Sequence, residues 1–111
     1  MLCYAVIFSS KLSSTLTPAA QAAYDADARA MVELASKQAG FLGIESARGA
    51  DGVGITVSYW DSLEAIRDWK DVPEHLAVQA RGRAEYYERY EVRVAVVERG
   101  YKFPSSPSPS P

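Results

Sequence analysis

The chain of 111 residues has one cysteine, Cys3, and one histidine, His75. A single cysteine cannot form a disulfide within the chain, and it fits a reducing, cytoplasmic compartment. One histidine and one cysteine also give no ligand cluster at the usual metal-site spacings. Glycine-rich phosphate-binding motifs are missing as well, so the sequence predicts no metal and no nucleotide cofactor.

An excess of positive charge and a long apolar run are also absent. The 12 Lys and Arg residues face 14 Asp and Glu, giving a net charge of −2 and no electrostatic footprint for nucleic acid or an anionic membrane. No apolar run approaches the roughly 20 residues that span a bilayer. The N-terminus is apolar but lacks the basic region and cleavage pattern of a signal peptide. We therefore expect a cytoplasmic protein with no nucleic-acid partner and no membrane partner.

Composition divides the chain into one folded domain and a short tail. Hydrophobic residues make up 48% and charged residues 23%, which is typical of a soluble globular domain with a single core. Residues 104–111 contain only proline and serine, and such a segment cannot bury an apolar core. We assign the domain to residues 1–103 and predict a disordered tail over 104–111.

Apolar periodicity and turn residues predict seven elements in the domain. Apolar runs with strand-like alternation predict strands over 2–9 and 90–99. A hairpin turn that contains glycine predicts two more strands, over 41–48 and 53–60. Helices are predicted from capping residues and prolines, over 19–38, from 61 to about 70, and from 73 towards 87. The order β-α-β-β-α-α-β is the ferredoxin-like pattern of the α+β class, an antiparallel sheet with helices on one face.

Helices on one side leave the other face of this sheet uncovered. Strand residues such as Tyr4, Val6 and Ile55, or their alternates, would expose an apolar surface there. A surface of that kind marks a partner site. Face-to-face homodimerisation about a two-fold axis is the simplest way to cover it.

The special residues of the chain concentrate between Trp60 and His75. The stretch holds both tryptophans, Trp60 and Trp69, and the only side chain whose ordinary pKa lies near neutrality, His75. Indoles at a strand end and a helix end also fit plain core packing, and a lone histidine at a helix start also fits a surface position. Both interpretations of the stretch stay open at this point.

Several segments resemble the antibiotic biosynthesis monooxygenase family of the dimeric α+β barrel superfamily. The segments that carry the resemblance follow the element order, at Gln38–Ser46, Ile55–Lys70, Glu74-His75, Tyr87–Tyr90 and Val94–Arg99. The resemblance implies a homodimer whose sheets close into a barrel, with a pocket in each subunit between helices and sheet. Members of this family include oxidoreductases that convert polycyclic phenols to quinones without metal or flavin, and others that degrade haem.

A cofactor-independent oxygenase of this kind needs a base to deprotonate a phenol in a largely dry pocket. His75 is the candidate base, and Trp60 and Trp69 are candidate walls for a small hydrophobic or aromatic ligand. Further side chains are candidates to orient or hold an oxygen of the substrate, namely Ser58, Tyr59, Tyr86, Tyr87, Arg48 and Arg67.

A related isomerase or cyclase acting on the same kind of molecule is an alternative within the enzyme class, and two further alternatives accompany this hypothesis. Resemblance to the haem-degrading branch would imply an Asn on the first strand, a Trp on the middle helix and a His on the next helix. Only Trp69 matches, because residues 4–10 contain no Asn and the aligned His position falls near Gln79. The other alternative is a non-catalytic dimeric module that binds a small ligand or has a structural role.

Overall fold

The structure, a computed structural model, describes residues 3–104. The predicted tail from 105 onward and the first two residues of the chain lie outside that range. The described elements follow the predicted order and confirm the ferredoxin-like α+β fold: β1 (Cys3–Leu12), α1 (Pro18–Ser36), β2 (Phe41–Arg48), β3 (Val53–Trp60), α2 (Leu63–Lys70), α3 (Pro73–Arg81), a π-helical turn (Gly82–Tyr86) and β4 (Tyr87–Val97).

Local signals in the sequence place the ends of the first two helices. Thr17 caps α1 by accepting a hydrogen bond from the Ala20 amide at 3.1 Å, and Pro18 occupies the first turn. Ser62 caps α2 in the same way through the Ala65 amide at 3.0 Å. Gly40 lies between α1 and β2 with φ +87°, where a Cβ would stand 2.6 Å from the Asp61 carboxylate. A side chain at this position would meet both backbone strain and a steric clash.

The sheet has the strand order β2-β3-β1-β4, and all its pairs are antiparallel. Tyr4 pairs with Trp60 on one side and with Val96 on the other. Paired residues share a face of the sheet, and side chains alternate between faces along each strand. The register therefore separates the helix-covered face, which carries Trp60, from the face that carries Tyr59.

The core lies between β3 and the helices α1 and α2. Trp60 is fully buried, and Ala35, Ala65 and Trp69 complete the buried cluster. Partly buried apolar side chains pack around it, among them Val6, Met31, Leu34, Phe41, Ile66 and Val72. The first two helices thus cover mainly the β2–β3 half of the sheet.

The β1–β4 half of the same face is much less covered. Val92, Val94 and Val96 point to the helix side but are 47%, 51% and 54% exposed. Their neighbours on β1, Val6 and Phe8, are half-buried. We call these five residues the valine strip. It is an open apolar surface that borders the core, because Val6 packs against the tryptophan cluster and pairs with Val94.

The two strands of this half differ in extent from the prediction. β1 continues three residues further, to Leu12, and β4 begins at Tyr87. The predicted helix towards Tyr87 ends instead at Arg81 and passes into the π-helical turn. The Tyr87 ring lies so close to Gly82 that a Cβ there would stand 2.8 Å from the ring. Pairing of Tyr87 with Leu12 draws this end of the chain into the sheet.

The opposite face of the sheet carries a second apolar surface. Alternation places Ala5, Ile7, Ile55, Val57 and Tyr59 on it, and Ile55 is 50% exposed. Homodimerisation through this face remains a prediction. Within residues 3–104, the structure contains no helix long and apolar enough to span a bilayer.

Candidate functional site

The Trp60–His75 stretch folds into a continuous aromatic stack. Trp60 at the end of β3 stacks on Trp69 of α2, with ring centroids 6.0 Å apart and planes at 25°. Trp69 stacks in turn on His75 at the start of α3, at 4.1 Å and 17°. The break between α2 and α3 turns the chain back, which brings the histidine onto the indole. The stack runs from a fully buried ring, Trp60, to a half-buried one, His75.

The imidazole of His75 is held in one orientation by the backbone. Nδ1 lies 3.0 Å from the carbonyl oxygen of Trp69. A carbonyl only accepts hydrogen bonds, so Nδ1 must carry the proton and Nε2 keeps the lone pair of the neutral ring. Within the described part of the chain, Nε2 has no hydrogen-bond partner. The histidine therefore presents one basic nitrogen that none of the described residues uses.

Burial decides the charge of this histidine. Desolvation lowers the pKa of His75 below its ordinary value of 6.5, and the hydrogen bond to Trp69 opposes the shift only in part. The imidazole is therefore mainly neutral at pH 7, which is the state in which it can accept a proton.

Ser58 and Phe41 hold the buried end of the stack. The indole Nε1 of Trp60 donates to the Ser58 hydroxyl at 2.9 Å, and Ser58 itself is buried. Phe41 meets the edge of Trp60 at 5.5 Å. Four of the predicted site residues thus lie together here, namely Ser58, Trp60, Trp69 and His75. Trp60 and Trp69 are at the same time the largest side chains of the core.

Tyr59 lies apart from this group. It projects from the opposite face of the sheet and donates a hydrogen bond to Glu45 at 3.0 Å, which raises the pKa of its phenol. Tyr59 is therefore separated from the aromatic stack and lies on the apolar face of the sheet opposite the helices.

Tyr87 belongs to a second aromatic group, which we call the tyrosine cluster. The cluster occupies the other end of the helix-covered face and consists of five rings, Phe8, Tyr24, Tyr86, Tyr87 and Tyr90. Neighbouring ring centroids lie between 5.2 and 6.4 Å apart, mostly edge to face. Along β1, Tyr4 and Ser10 mark the two ends of the face, roughly 20 Å apart at the usual strand rise.

Arg48 reaches into the tyrosine cluster from the end of β2. Its guanidinium donates to the Ser10 hydroxyl at 2.8 Å, to the Tyr24 hydroxyl at 3.2 Å and to the Gly52 carbonyl oxygen. It also lies 5.6 Å from the centroid of the Tyr24 ring. Arg67, the other predicted arginine, is exposed on α2.

A carboxylate joins α1 to the π-helical turn beside this cluster. Asp27 accepts two hydrogen bonds from Arg81, at 2.9 and 3.0 Å, and one from the Tyr86 hydroxyl at 2.6 Å. The bonds from Arg81 contribute most to lowering the pKa of Asp27. Sequence reasoning did not find Ser10, Tyr24, Asp27 or Arg81, because no local spacing connects residues this far apart in the chain.

Surface depressions lie elsewhere on the molecule. One is formed between α1 and β2 by Ala28, Arg29, Val32, Glu33, Ser36 and Ser46, and another lies beside Arg99–Tyr101. The aromatic stack lines neither of them. Within residues 3–104, no group of three or more His, Cys, Asp or Glu side chains is arranged to hold a metal ion.

The fold defines a class, a ferredoxin-like α+β domain with its candidate site between helices and sheet. The family profile described as antibiotic biosynthesis monooxygenase matches residues 11–81. The uncharacterized protein YqjZ of Bacillus subtilis is 54% identical over 96 residues, which cover 86% of this chain and 80% of that protein. The chain belongs to the antibiotic biosynthesis monooxygenase family.

Solved structures with low sequence identity share the fold. SnoaB, a cofactor-independent oxygenase from Streptomyces nogalater, has a TM-score of 0.64 at 15% identity, with coverage of 94% of this chain and 98% of SnoaB. A dimeric ferredoxin-like protein of unknown function from Bacteroides fragilis has a TM-score of 0.64 at 18% identity, covering 84% and 94%. PA3566 from Pseudomonas aeruginosa has a TM-score of 0.73 at 14% identity, covering 89% and 97%.

Proposed function

We propose that this protein is a cofactor-independent monooxygenase that acts on a small hydrophobic or aromatic molecule, with His75 as general base. One observation carries the proposal. His75 donates through Nδ1 to the Trp69 carbonyl oxygen at 3.0 Å, which leaves Nε2 as a basic nitrogen without a hydrogen-bond partner among residues 3–104. Membership of a monooxygenase family and the fold shared with SnoaB support the same reaction class.

The valine strip supplies the surface for such a ligand. Val92, Val94 and Val96 are about half exposed on the helix side of the sheet, next to Val6 at the edge of the tryptophan core. A flat aromatic molecule on this strip would cover apolar side chains that otherwise face water. Val6 of the strip packs against the cluster that contains Trp69, and Trp69 stacks on His75, so a ligand on the strip would lie on the side of the sheet that carries the stack.

The chemistry follows from a neutral base beside an apolar surface. Nε2 of His75 takes a proton from an anthrone-type phenol, and the resulting carbanion passes an electron to molecular oxygen. One oxygen atom enters the substrate as a carbonyl in place of two hydrogens, and the other leaves as water. Dioxygen is thus the oxidant, and the two hydrogens removed from the substrate end in that water molecule.

A non-catalytic dimeric module that binds a small ligand or has a structural role is the second candidate. It is favoured by the burial of Trp60 and Trp69, which are 0% and 8% exposed and therefore work as core residues. Either function is proposed for a homodimer formed through the face of the sheet opposite the helices, which carries Ile55 and Tyr59. The dimeric ferredoxin-like protein from Bacteroides fragilis supports that assembly.

Oxygen uptake with a panel of anthrone-type and dihydroxy aromatic substrates separates the two candidates. Two variants remove the base in different ways: His75→Phe keeps a ring on Trp69, and His75→Gln keeps a polar side chain. Loss of a general base typically lowers kcat/KM by about 10²- to 10⁴-fold, and we expect both variants to fall in that range. For the wild type, kcat/KM should rise with pH to a plateau, with its midpoint below 6.5 because burial lowers the pKa of His75.

Glu74→Gln is the matched control, because Glu74 is the exposed neighbour of His75 on α3. It removes an adjacent charge and leaves the imidazole in place, so its oxygen uptake should equal that of the wild type. Equal turnover by wild type and both His75 variants would refute the general base. An inactive wild type across the whole panel would favour the non-catalytic module.

A further inference from the structure

The guanidinium of Arg48 is a half-buried positive charge that no carboxylate of the described residues pairs. Its acceptors are a carbonyl oxygen and two hydroxyl oxygens, all of them neutral, from Gly52, Ser10 and Tyr24. The ion pairs formed within residues 3–104 join other residues, and none involves Arg48. A buried or partly buried charge is normally paired, because removing it from water is costly.

The surroundings of Arg48 hold more hydrogen-bond donors than the acceptors of the described residues take up. A guanidinium has five N–H groups, and the three hydrogen bonds that Arg48 forms with described residues leave its Nε–H and one Nη1 hydrogen without an acceptor among them. The hydroxyl hydrogens of Ser10, Tyr24 and Tyr87 are not accepted by any carbonyl or carboxylate of the described residues. Ser10 is 1% exposed, so water does not readily satisfy it. Such a set of donors fits a ligand that only accepts hydrogen bonds, which is an anion.

The side chains around the Arg48 guanidinium are mainly aromatic. The rings of Phe8, Tyr87 and Tyr90 lie within 5.8 Å of one another, and Tyr24 adds a further edge-to-face contact with Tyr87. Tyr24, Tyr87 and Arg48 are half-buried, so part of each side chain is open to solvent. Aromatic rings around a guanidinium suit a ligand that combines an aromatic ring with an oxyanion.

We propose that Arg48, Tyr24 and Tyr87 form a binding site for the carboxylate of a small aromatic acid. The guanidinium supplies the positive charge and donates its Nε–H to the carboxylate, the phenols add hydrogen bonds, and the rings of Phe8, Tyr87 and Tyr90 pack on the ring of the ligand. Burial, and then the neighbouring Tyr24, raises the pKa of Tyr87, so its phenol stays protonated and able to donate. This site lies roughly 20 Å along β1 from the end of the sheet that carries the aromatic stack, and it does not depend on the function proposed for His75.

The experiment is a titration of the full chain with 2-naphthoate, followed by chemical shifts of backbone amides and of the Arg48 Nε–H. The neutral 2-naphthamide has the same ring system without the charge and serves as the comparison ligand. We expect saturable binding of 2-naphthoate with shifts at Arg48, Tyr24 and Tyr87, and at least tenfold weaker binding of the amide. Arg48→Lys keeps a charge but loses the planar fork, and its affinity should fall about tenfold.

Two neighbouring tyrosines give a matched pair that does not depend on a stable Arg48 variant. Tyr87→Phe removes a hydroxyl that neighbours the Tyr24 hydroxyl and that no carbonyl or carboxylate of the described residues accepts, and we expect a folded protein with binding several-fold weaker. Tyr86→Phe removes the hydroxyl that donates to Asp27, and we expect a lower Tm with unchanged binding. Three results would each overturn the proposal. They are equal affinity for naphthoate and naphthamide, unchanged affinity in Tyr87→Phe, and no binding at about 10 mM naphthoate, a concentration at which even weak binding is detected.

Discussion

The two aromatic groups on the helix-covered face contrast in how their rings are held. The stack of Trp60, Trp69 and His75 is ordered by burial, with one side chain–side chain hydrogen bond, from Trp60 to Ser58. In the tyrosine cluster, four of the five rings carry hydroxyls, and charged residues reach it from α1, β2 and α3. The first group therefore depends on packing, and the second on polar contacts between distant elements.

The stack is a core with one reactive edge. The tyrosine cluster is a polar site beside a structural clamp, by which we mean the hydrogen-bonded group of Asp27, Arg81 and Tyr86. In the stack, both indoles are buried, and the Nε2 edge of His75 is the basic group that no described residue occupies. Beside the tyrosine cluster, Asp27 and Tyr86 stabilise the fold, while Arg48 keeps N–H groups and Tyr87 a hydroxyl that no carbonyl or carboxylate of the described residues accepts. Substitutions in the two groups should accordingly affect stability and ligand binding in different proportions.

The largest expected effect is that of Trp60→Ala on stability. Truncation of a fully buried tryptophan should lower the free energy of unfolding by about 3–5 kcal/mol, because it leaves a cavity at the centre of the core. Tyr90→Ala should cost clearly less, because Tyr90 is only half-buried. Urea unfolding at a fixed protein concentration measures both values. Equal losses for the two variants would contradict the assignment of the core to the stack.

A smaller effect is expected for Asp27→Asn in the clamp. The carboxylate accepts three hydrogen bonds from Arg81 and Tyr86, and we expect a loss of about 1–2 kcal/mol after allowance for partial exposure. The native pKa of Asp27 is lowered from 3.8, so its contribution is present above that pH and is lost as pH falls through the native value. Urea unfolding at pH 7 and pH 3 should show the difference shrinking at the lower pH. A constant difference would refute the ionised clamp.

The sequence predicted most of the fold because its signals are local. The bounds of β2 and β3 agree with prediction, since the hairpin turn and alternation lie within a few residues of each strand. The caps at Thr17 and Ser62 are likewise read from adjacent positions. The start of β4 was missed, because the pairing of Tyr87 with Leu12 and the close approach to Gly82 involve tertiary contacts.

The candidate site was predictable only in part for the same reason. His75, Trp69 and Trp60 lie within sixteen positions, so their proximity was visible in the sequence. Arg48 and Tyr87 were named as candidates, but nothing in the sequence joined them to Ser10 or Tyr24. Those contacts span the sheet and α1 and exist only once β1, β2 and β4 are aligned. Alternation also assigned Tyr59 and Ser58 to opposite faces, and only the placement of the helices decides which face bears the stack.

The protonation state of His75 is the most direct test of the account, and the chain has only this one histidine to observe. A pH titration of the imidazole nitrogens by long-range ¹H–¹⁵N spectroscopy reports the tautomer and the pKa together. We predict a neutral ring with its proton on Nδ1 and a pKa below 6.5, because burial disfavours the charged form and the Trp69 carbonyl oxygen holds the Nδ1 proton. A proton on Nε2 in the neutral ring, or a pKa at or above 6.5, would contradict His75 as the available base.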